Sequence, residues 1–186
     1  MIRKSFSFFH DKDFDFSVNL CREDLFNQDT VSLIYKEIDL FPDPRKITFE
    51  LLETEKIDKS EEVLSFISKV KENGCKIAID DFGSGYSNFN YILALSIDII
   101  KIDASLIKDI HQDPNSMTIT KNIVNFAKEM NIKTIAEYVH NSEVFSVVEY
   151  LGIDYVQGYF IGKPSPDITK SSVITLDERF LLQTIT

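Results

Sequence analysis

The sequence contains no tryptophan, only two cysteines, and only six glycines and five prolines among its 186 residues. Two cysteines cannot form the disulfide framework of a small secreted domain, so we predict a reducing, cytoplasmic location. The hydrophobic content of 44% and the charged content of 27% exclude disordered and collagen-like chains. Because no apolar run reaches the roughly 18 residues of a membrane-spanning helix, we expect no membrane segment in this chain.

Basic residues are also scarce, since 20 Lys and Arg stand against 30 Asp and Glu and leave a net charge of −10. Such a surface repels phosphate backbones and anionic lipids, which argues against binding of bulk nucleic acid. A small anionic ligand held through metal ions remains compatible, because the ions then supply the local positive charge.

Short apolar runs rich in β-branched residues alternate with longer amphipathic stretches, which predicts a parallel α/β sheet covered by helices. The predicted strands are 16–20, 47–52, 76–80, 98–102, 134–139 and 155–159. Helices are predicted from Ser60 to about Gly74, from about 116 to 130 and from 142 to 151, with Leu64 and Ile119 on buried faces. At about 28 residues per strand, a closed eightfold barrel needs roughly 220 residues. The length therefore leaves two alternatives, an open sheet or a barrel without about two strands.

Each predicted strand carries a polar residue near its carboxyl end. These residues are Asn19, Glu50, Asp80 with Asp81, Lys101, Glu137 and Gln157. Buried strands tolerate charges that are paired or bind metal, and the carboxyl ends of parallel strands converge on one site. Carboxylate and amide oxygens suit Mg²⁺, Mn²⁺ or Ca²⁺, and two such ions roughly 3.5–4 Å apart form a phosphoryl-transfer site. The simpler alternatives are a strand-end turn at Asp80 and Asp81, and a salt bridge from Lys101 to Asp103 or to another acid.

Sequence motifs at these positions are similar to those of a known family. Residues 80–87 read DDFGSGYS, and KID follows at 101–103. The other motifs are SVNL at 17–20, FELLE at 49–53, IAE at 135–137 and QGY at 157–159. Together these segments resemble the EAL family of bacterial cyclic di-GMP phosphodiesterases, which hydrolyse cyclic di-GMP to the linear dinucleotide pGpG.

The resemblance implies a TIM-like (β/α) barrel that is incomplete and lacks about the first two strands. It also implies that residues 1–186 form a single partial domain, with a core at about 6–166 and a tail at 167–186. Asn19, Glu50 and Asp80 would bind a first Mg²⁺ or Mn²⁺, with Asp80 bridging to a second ion on Asp81.

The resemblance also assigns the remaining residues of the site. Lys101 would hold or deprotonate the attacking water, and Glu137 would act in catalysis as well as in metal binding. Gln157 would complete the site. Glu53 would anchor the loop at 82–90, which tunes the second metal. Ser84, Gly85 and Tyr86 of that loop would lie near the substrate or the metal ligands.

Two departures from the family pattern bear on activity. No Glu-Ala-Leu triplet, which gives the family its name, occurs in the sequence. Tyr138 and His140 stand where the family motif AEGVE has its glycine and its second glutamate. We therefore expect a chain that is N-terminally truncated relative to the family and that hydrolyses cyclic di-GMP slowly on its own.

Two other functions are alternatives to hydrolysis. One is a non-catalytic module that binds cyclic di-GMP or carries a partner interface. The other is a phosphoacceptor receiver domain, which fails on residue order. Its lysine should follow a separate acceptor aspartate by at least one strand, whereas Lys101 lies one strand after Asp80 and Asp81, and the only acid of its own strand, Asp98, is at the start of that strand. A longer parent protein is expected to carry sensor or GGDEF domains. A homodimer is predicted through strand 16–20 or the helix at 116–130, because an open strand edge recruits partners.

Overall fold

Six parallel strands follow one another in both sequence and space, in the sheet order β1-β2-β3-β4-β5-β6. The computed structural model describes residues 1–52, 60–85 and 89–165. The strands are β1 (Phe16–Leu20), β2 (Ile47–Leu52), β3 (Lys76–Phe82), β4 (Ile99–Ile102), β5 (Lys133–Ala136) and β6 (Tyr155–Val156). The predicted α/β class with a parallel sheet is therefore confirmed.

One helix precedes the first strand and the others connect successive strands, as parallel strands require. The helices are α1 (Ile2–Phe9), α2 (Arg22–Phe26), α3 (Gln28–Leu40), α4 (Glu61–Glu72), α5 (Phe89–Ala94), α6 (Ala104–Ile107), α7 (Pro114–Glu129) and α8 (Ser142–Leu151). Within the described ranges, none of these helices is long and apolar enough to cross a membrane.

The first of two compact units comprises Met1–Ile79 and Asn88–Asp98. Its amino-terminal part is held by phenylalanine rings, with Phe9 stacked on Phe16 at 4.5 Å and Phe6 edge-on to Phe41 at 5.7 Å. These contacts pack α1 against the beginning of β1 and against the residue that follows α3. The three helices before Ser60, α1 to α3, were not predicted from the sequence.

Helix α4 begins as predicted, since the Ser60 hydroxyl accepts a hydrogen bond from the backbone N–H of Val63. The predicted buried face needs correction, because Leu64 is exposed whereas Phe66 is buried. Asp98, the last residue of this unit, has a carboxylate that accepts hydrogen bonds from Lys71 Nζ at 2.7 Å and Ile77 N at 2.9 Å. The strand predicted to begin at Asp98 therefore begins one residue later.

The second unit comprises Asp80–Ser87 and Ile99–Thr186. Helix α7 begins at Pro114, because Asp113 caps its first turn, and Ile119 is exposed rather than buried. Helix α8 has the predicted bounds and ends at Gly152, whose φ of 71° suits a glycine.

Strands β5 and β6 are shorter than predicted. Strand β5 ends at Ala136 rather than at 139, and β6 ends at Val156 rather than at 159. After β5 the backbone leaves the extended conformation at Tyr138, whose φ of 58° lies in the left-handed region. The chain between Glu137 and His140 is instead an irregular segment.

Gly158 fixes this segment by backbone contact. A Cβ atom on Gly158 would lie 2.2 Å from Val139 O and 2.4 Å from Val139 N, and its φ is 155°. Val139 N donates a hydrogen bond to Gln157 O at 3.0 Å, and Phe160 N donates to Val139 O at 3.0 Å. Only a glycine permits an approach this close, because the atoms it meets are backbone atoms that cannot rotate away.

We expect Gly158→Ala to destabilise the protein by at least about 2 kcal/mol, because the added methyl group would overlap the Val139 backbone. For a chain of this length that corresponds to a fall in Tm of roughly 4–8 °C. Gly162→Ala is the matched control, since nothing lies within 4 Å of its Cβ position. Thermal unfolding followed by circular dichroism measures both variants, and equal melting temperatures would contradict the close contact.

Candidate metal centre

Four of the predicted site residues meet in the second unit. Asp80 and Asp81 lie near the carboxyl end of β3, Lys101 lies in β4, and Glu137 directly follows β5. The register of β4 and β5 pairs Lys101 with Ile135 and Ile102 with Ala136. Glu137 N then donates to Ile102 O at 3.1 Å, which extends this pairing by one residue and carries the Glu137 side chain to the site.

Lys101 links two of the acids. Its Nζ donates to Asp80 Oδ1 at 2.7 Å and forms an ion pair with Glu137 Oε1 at 3.0 Å. Lys101 is only 3% exposed, so its ammonium group has lost most of its water and depends on these carboxylates. Lys101 thus forms the salt bridge to another acid that was the simpler alternative, and both of its partners, Asp80 and Glu137, belong to the acidic cluster. Asp103 instead caps α6, where its carboxylate accepts from Ser105 N.

Burial raises the pKa of the Glu137 carboxyl from its ordinary value of 4.5 to about 7. The Lys101 ammonium opposes this shift, whereas the charges of Asp80 and Asp81 add to it. A carboxyl group with such a pKa exchanges its proton near neutral pH, which suits either general-base chemistry or replacement of the proton by a cation.

Asp81 departs from normal strand geometry, with a φ of 56°. Successive residues of a regular strand point to opposite faces, so a left-handed residue here breaks the alternation. The turn is closed by Ser84 N, which donates to Asp81 O at 3.2 Å. Asp81 N in turn donates to Asp80 Oδ1 at 3.1 Å. Both neighbouring acids can therefore serve one site.

The three acids fit a divalent cation. One carboxylate oxygen from each of Asp80, Asp81 and Glu137 lies within 4.8 Å of the other two. Two oxygens bound to one Mg²⁺ or Ca²⁺ lie at most about 4–5 Å apart, since each metal–oxygen distance is about 2.0–2.6 Å. The donor set consists of hard oxygen atoms, which favours Mg²⁺, Mn²⁺ or Ca²⁺ over zinc.

The other predicted site residues are placed differently. Asn19 and Glu50 are register partners on β1 and β2 of the first unit, where Glu50 is 6% exposed and Asn19 lies open to solvent. Their roles in metal binding stay predictions. Ser84 and Gly85 form an exposed turn, and Gln157 is half-buried. Glu53 and Tyr86 lie outside the described residues.

Sequence reasoning missed the residues that hold Glu137 in place, namely Val139 and Gly158. Val139 reads as an ordinary strand residue, and its burial shows only in the structure. The available signal was Gly158, a glycine directly after a strand-end polar residue, which often marks close backbone approach.

Comparison with known proteins gives a consistent result. The family model described as the EAL domain matches residues 1–164. Cyclic di-GMP phosphodiesterase PdeB of Shewanella oneidensis is 33% identical over 151 residues, and PdeA of Borreliella burgdorferi is 40% identical over 122 residues. The matches cover 81% and 66% of this chain but 18% of each relative, so the chain spans less than a fifth of their length.

A solved structure has the same fold. The complex of Klebsiella pneumoniae BlrP1 with calcium and cyclic di-GMP matches with a TM-score of 0.78 at 26% identity. The match covers 86% of this chain and 42% of BlrP1. The predicted incomplete barrel-type α/β fold agrees with this likeness.

Millimolar Mn²⁺ is expected to raise the Tm by roughly 5–10 °C, since 100 times Kd of a ligand stabilises the folded state by about 2.7 kcal/mol. Asp81→Asn should remove most of this rise, because it deletes one ligand while asparagine tolerates the left-handed backbone. Asp109→Asn is the control, since Asp109 is an exposed acid in the turn after α6. Differential scanning calorimetry with and without Mn²⁺ measures the shift. If both variants respond as the wild type does, the three acids do not bind a cation.

The raised pKa of Glu137 has a consequence for stability without metal. The folded protein holds the Glu137 proton up to a pH of about 7, whereas the unfolded chain releases it near 4.5. The protonated Glu137 therefore contributes to the free energy of unfolding. The contribution is fully present below pH 4.5 and is lost as the pH rises through 7, and the total loss is roughly 3 kcal/mol. Urea unfolding in EDTA between pH 5 and 8 should therefore show the wild type losing stability relative to Glu137→Gln. The difference between wild type and Glu149→Gln, an exposed acid on α8, should stay constant. A constant difference for Glu137→Gln as well would contradict the raised pKa.

Proposed function

Because the chain belongs to the EAL domain family, we propose that it forms the metal-binding part of a cyclic di-GMP phosphodiesterase domain. The observation that carries the proposal is the convergence of Asp80, Asp81 and Glu137 around Lys101. The names of the relatives in Shewanella oneidensis and Borreliella burgdorferi support the proposal, because both are named cyclic di-GMP phosphodiesterases.

Asp80, Asp81 and Glu137 would hold a divalent cation, for which we propose Mg²⁺ or Mn²⁺. When bound, such an ion neutralises phosphate charge and lowers the pKa of water. The reaction is the hydrolysis of one phosphodiester bond. Water oxygen forms a new bond to phosphorus, the bond from phosphorus to one ribose oxygen breaks, and that oxygen takes up a proton. The product is the linear dinucleotide pGpG.

Lys101 orients the acids and adds a fixed positive charge. Its two short contacts hold Asp80 and Glu137 in one arrangement before substrate arrives, so little reorganisation is needed during the reaction. A cationic group in a water-poor site also stabilises the negative charge of the phosphate more strongly than it would in bulk water.

Glu137 is suited to exchange a proton for a cation. Without a bound ion its pKa of about 7 lets the carboxyl release its proton near neutral pH, and a cation on the carboxylate would favour the charged form. Lys101 Nζ donates to Glu137 Oε1, which leaves the second carboxyl oxygen of Glu137 for a proton or for a cation.

The second candidate function is a non-catalytic module that binds cyclic di-GMP. The observation that favours it lies next to Glu137, where Tyr138 keeps a left-handed backbone and His140 is exposed. These residues occupy the positions of a glycine and a glutamate in the family motif. A missing acid would weaken proton transfer or metal binding while leaving ligand binding possible.

Further properties of the protein remain predictions that rest on the sequence. They are the single partial domain with its tail at 167–186, the cytoplasmic location, the homodimer, and the additional sensor or GGDEF domains of a longer parent. The metal-binding roles of Asn19 and Glu50 belong to the same group.

In Mn²⁺, we expect the chain to convert cyclic di-GMP to pGpG at a rate below about 1 s⁻¹, the lower limit of common turnover numbers. Lys101→Met should lower that rate at least ~100-fold, because it removes the fixed charge at the phosphate. Lys121→Met, at an exposed position on α7, should leave it unchanged. Anion-exchange chromatography of the products measures the rate, and calorimetry in Ca²⁺ measures binding.

The outcomes separate the two candidates. Formation of pGpG that depends on Lys101 supports the phosphodiesterase. Binding of cyclic di-GMP without any pGpG supports the non-catalytic module. A wild-type chain that neither binds nor hydrolyses cyclic di-GMP would show that both proposals are wrong.

A further inference from the structure

Tyr138 carries an exposed aromatic ring in the same segment as Glu137. It directly follows Glu137, and its residue surface is 56% exposed. Loops at the carboxyl ends of parallel strands form the binding sites of α/β barrels, and Tyr138 lies in the loop that follows β5. An exposed ring in such a loop offers a planar surface to a ligand that binds at the carboxyl ends of the strands.

The backbone of Tyr138 is strained. Its φ of 58° lies in the left-handed region, which costs a residue with a bulky side chain roughly 1–2 kcal/mol. Strain of this kind persists only where the surrounding structure enforces it, and it is concentrated at functional sites. At Tyr138 the backbone on both sides is fixed, because Glu137 N donates to Ile102 O and Val139 N donates to Gln157 O.

The ring itself is also held. The rings of Tyr138 and His140 lie 5.2 Å apart at an angle of 49°. His140 Nδ1 lies 3.2 Å from Tyr138 O, and Asn141 Nδ2 lies 3.1 Å from His140 Nε2. This support limits the entropy that Tyr138 would lose on binding a ligand, which is why rigid aromatic side chains are efficient contact surfaces.

From these observations we infer that Tyr138 stacks on one purine base of the cyclic dinucleotide, an inference that rests on the proposed function. The acids, through a cation, and Lys101 would bind the phosphate, so they cannot distinguish a dinucleotide from any other phosphodiester. A tyrosine ring supplies the missing contact, since bases of all kinds stack on aromatic side chains. Tyr138 is thereby a determinant of affinity for the base and takes no part in the hydrolysis itself.

The test compares variants that differ in the ring but keep the backbone. Tyr138→Phe retains the ring, whereas Tyr138→Gly and Tyr138→Asn remove it and suit the left-handed conformation better than tyrosine does. Binding of cyclic di-GMP is measured by calorimetry in Ca²⁺. We expect the Kd to rise about 5- to 150-fold in Tyr138→Gly and Tyr138→Asn, the range found for loss of one stacked base, and to stay within about twofold in Tyr138→Phe.

Two further measurements separate this inference from damage elsewhere. The Kd for Ca²⁺ alone should be equal in all four proteins, and the Tm of Tyr138→Gly should equal or exceed that of the wild type. If the variants without a ring bind cyclic di-GMP as tightly as the wild type, the stacking role is wrong while the proposed function stands. If the wild type does not bind cyclic di-GMP, the proposed function is wrong and the inference is wrong with it.

Discussion

The site depends on one buried ammonium group held between two carboxylates. Lys101 has exchanged water for Asp80 at 2.7 Å and Glu137 at 3.0 Å, and neither the lysine nor the acids would be stable there alone. Breaking such a buried pair typically costs about 3–5 kcal/mol, because one charge is left without compensation. The ends of β3, β4 and β5 are thus tied together by charge as well as by backbone hydrogen bonds. The acids outnumber the lysine, and this excess of negative charge is what makes the cluster receptive to a cation.

Backbone strain occurs directly beside the acids. Asp81 and Tyr138 both have a positive φ, and each adjoins another acid of the cluster, Asp80 and Glu137 respectively. The same conformation occurs at Ser96 and Asn131, which follow helices and form ordinary turns. The two strained positions at the site have another effect, since they end regular strand geometry where the side chains must converge. A regular strand would send alternate residues to opposite faces and divide the cluster.

Much of this arrangement could be predicted from the sequence. Strands β1 and β2 and helix α8 are defined by local apolar patterns and caps, so their bounds were predicted without error. The acids of the centre and Lys101 were recognised because charged residues are unexpected in buried strands. The raised pKa of Glu137 and the double contact of Lys101 depend on distances between residues that lie 21 to 57 positions apart in the sequence, which no local pattern contains. The ends of β5 and β6 were wrong for a similar reason, since Tyr138 bends the chain under contacts from Gly158.

The contact between Gly158 and Val139 also constrains the order in which the site can form during synthesis. A chain grows from its amino terminus at about 5–20 residues per second, and folding begins before it is complete. Asp80, Asp81 and Lys101 emerge early, but Glu137 adjoins a segment whose partners come later, since Gln157 and Phe160 follow Val139 by 18 and 21 residues. A nascent chain therefore exposes a lysine paired with part of its acids, and it gains the complete acidic cluster only after the ribosome has passed residue 160.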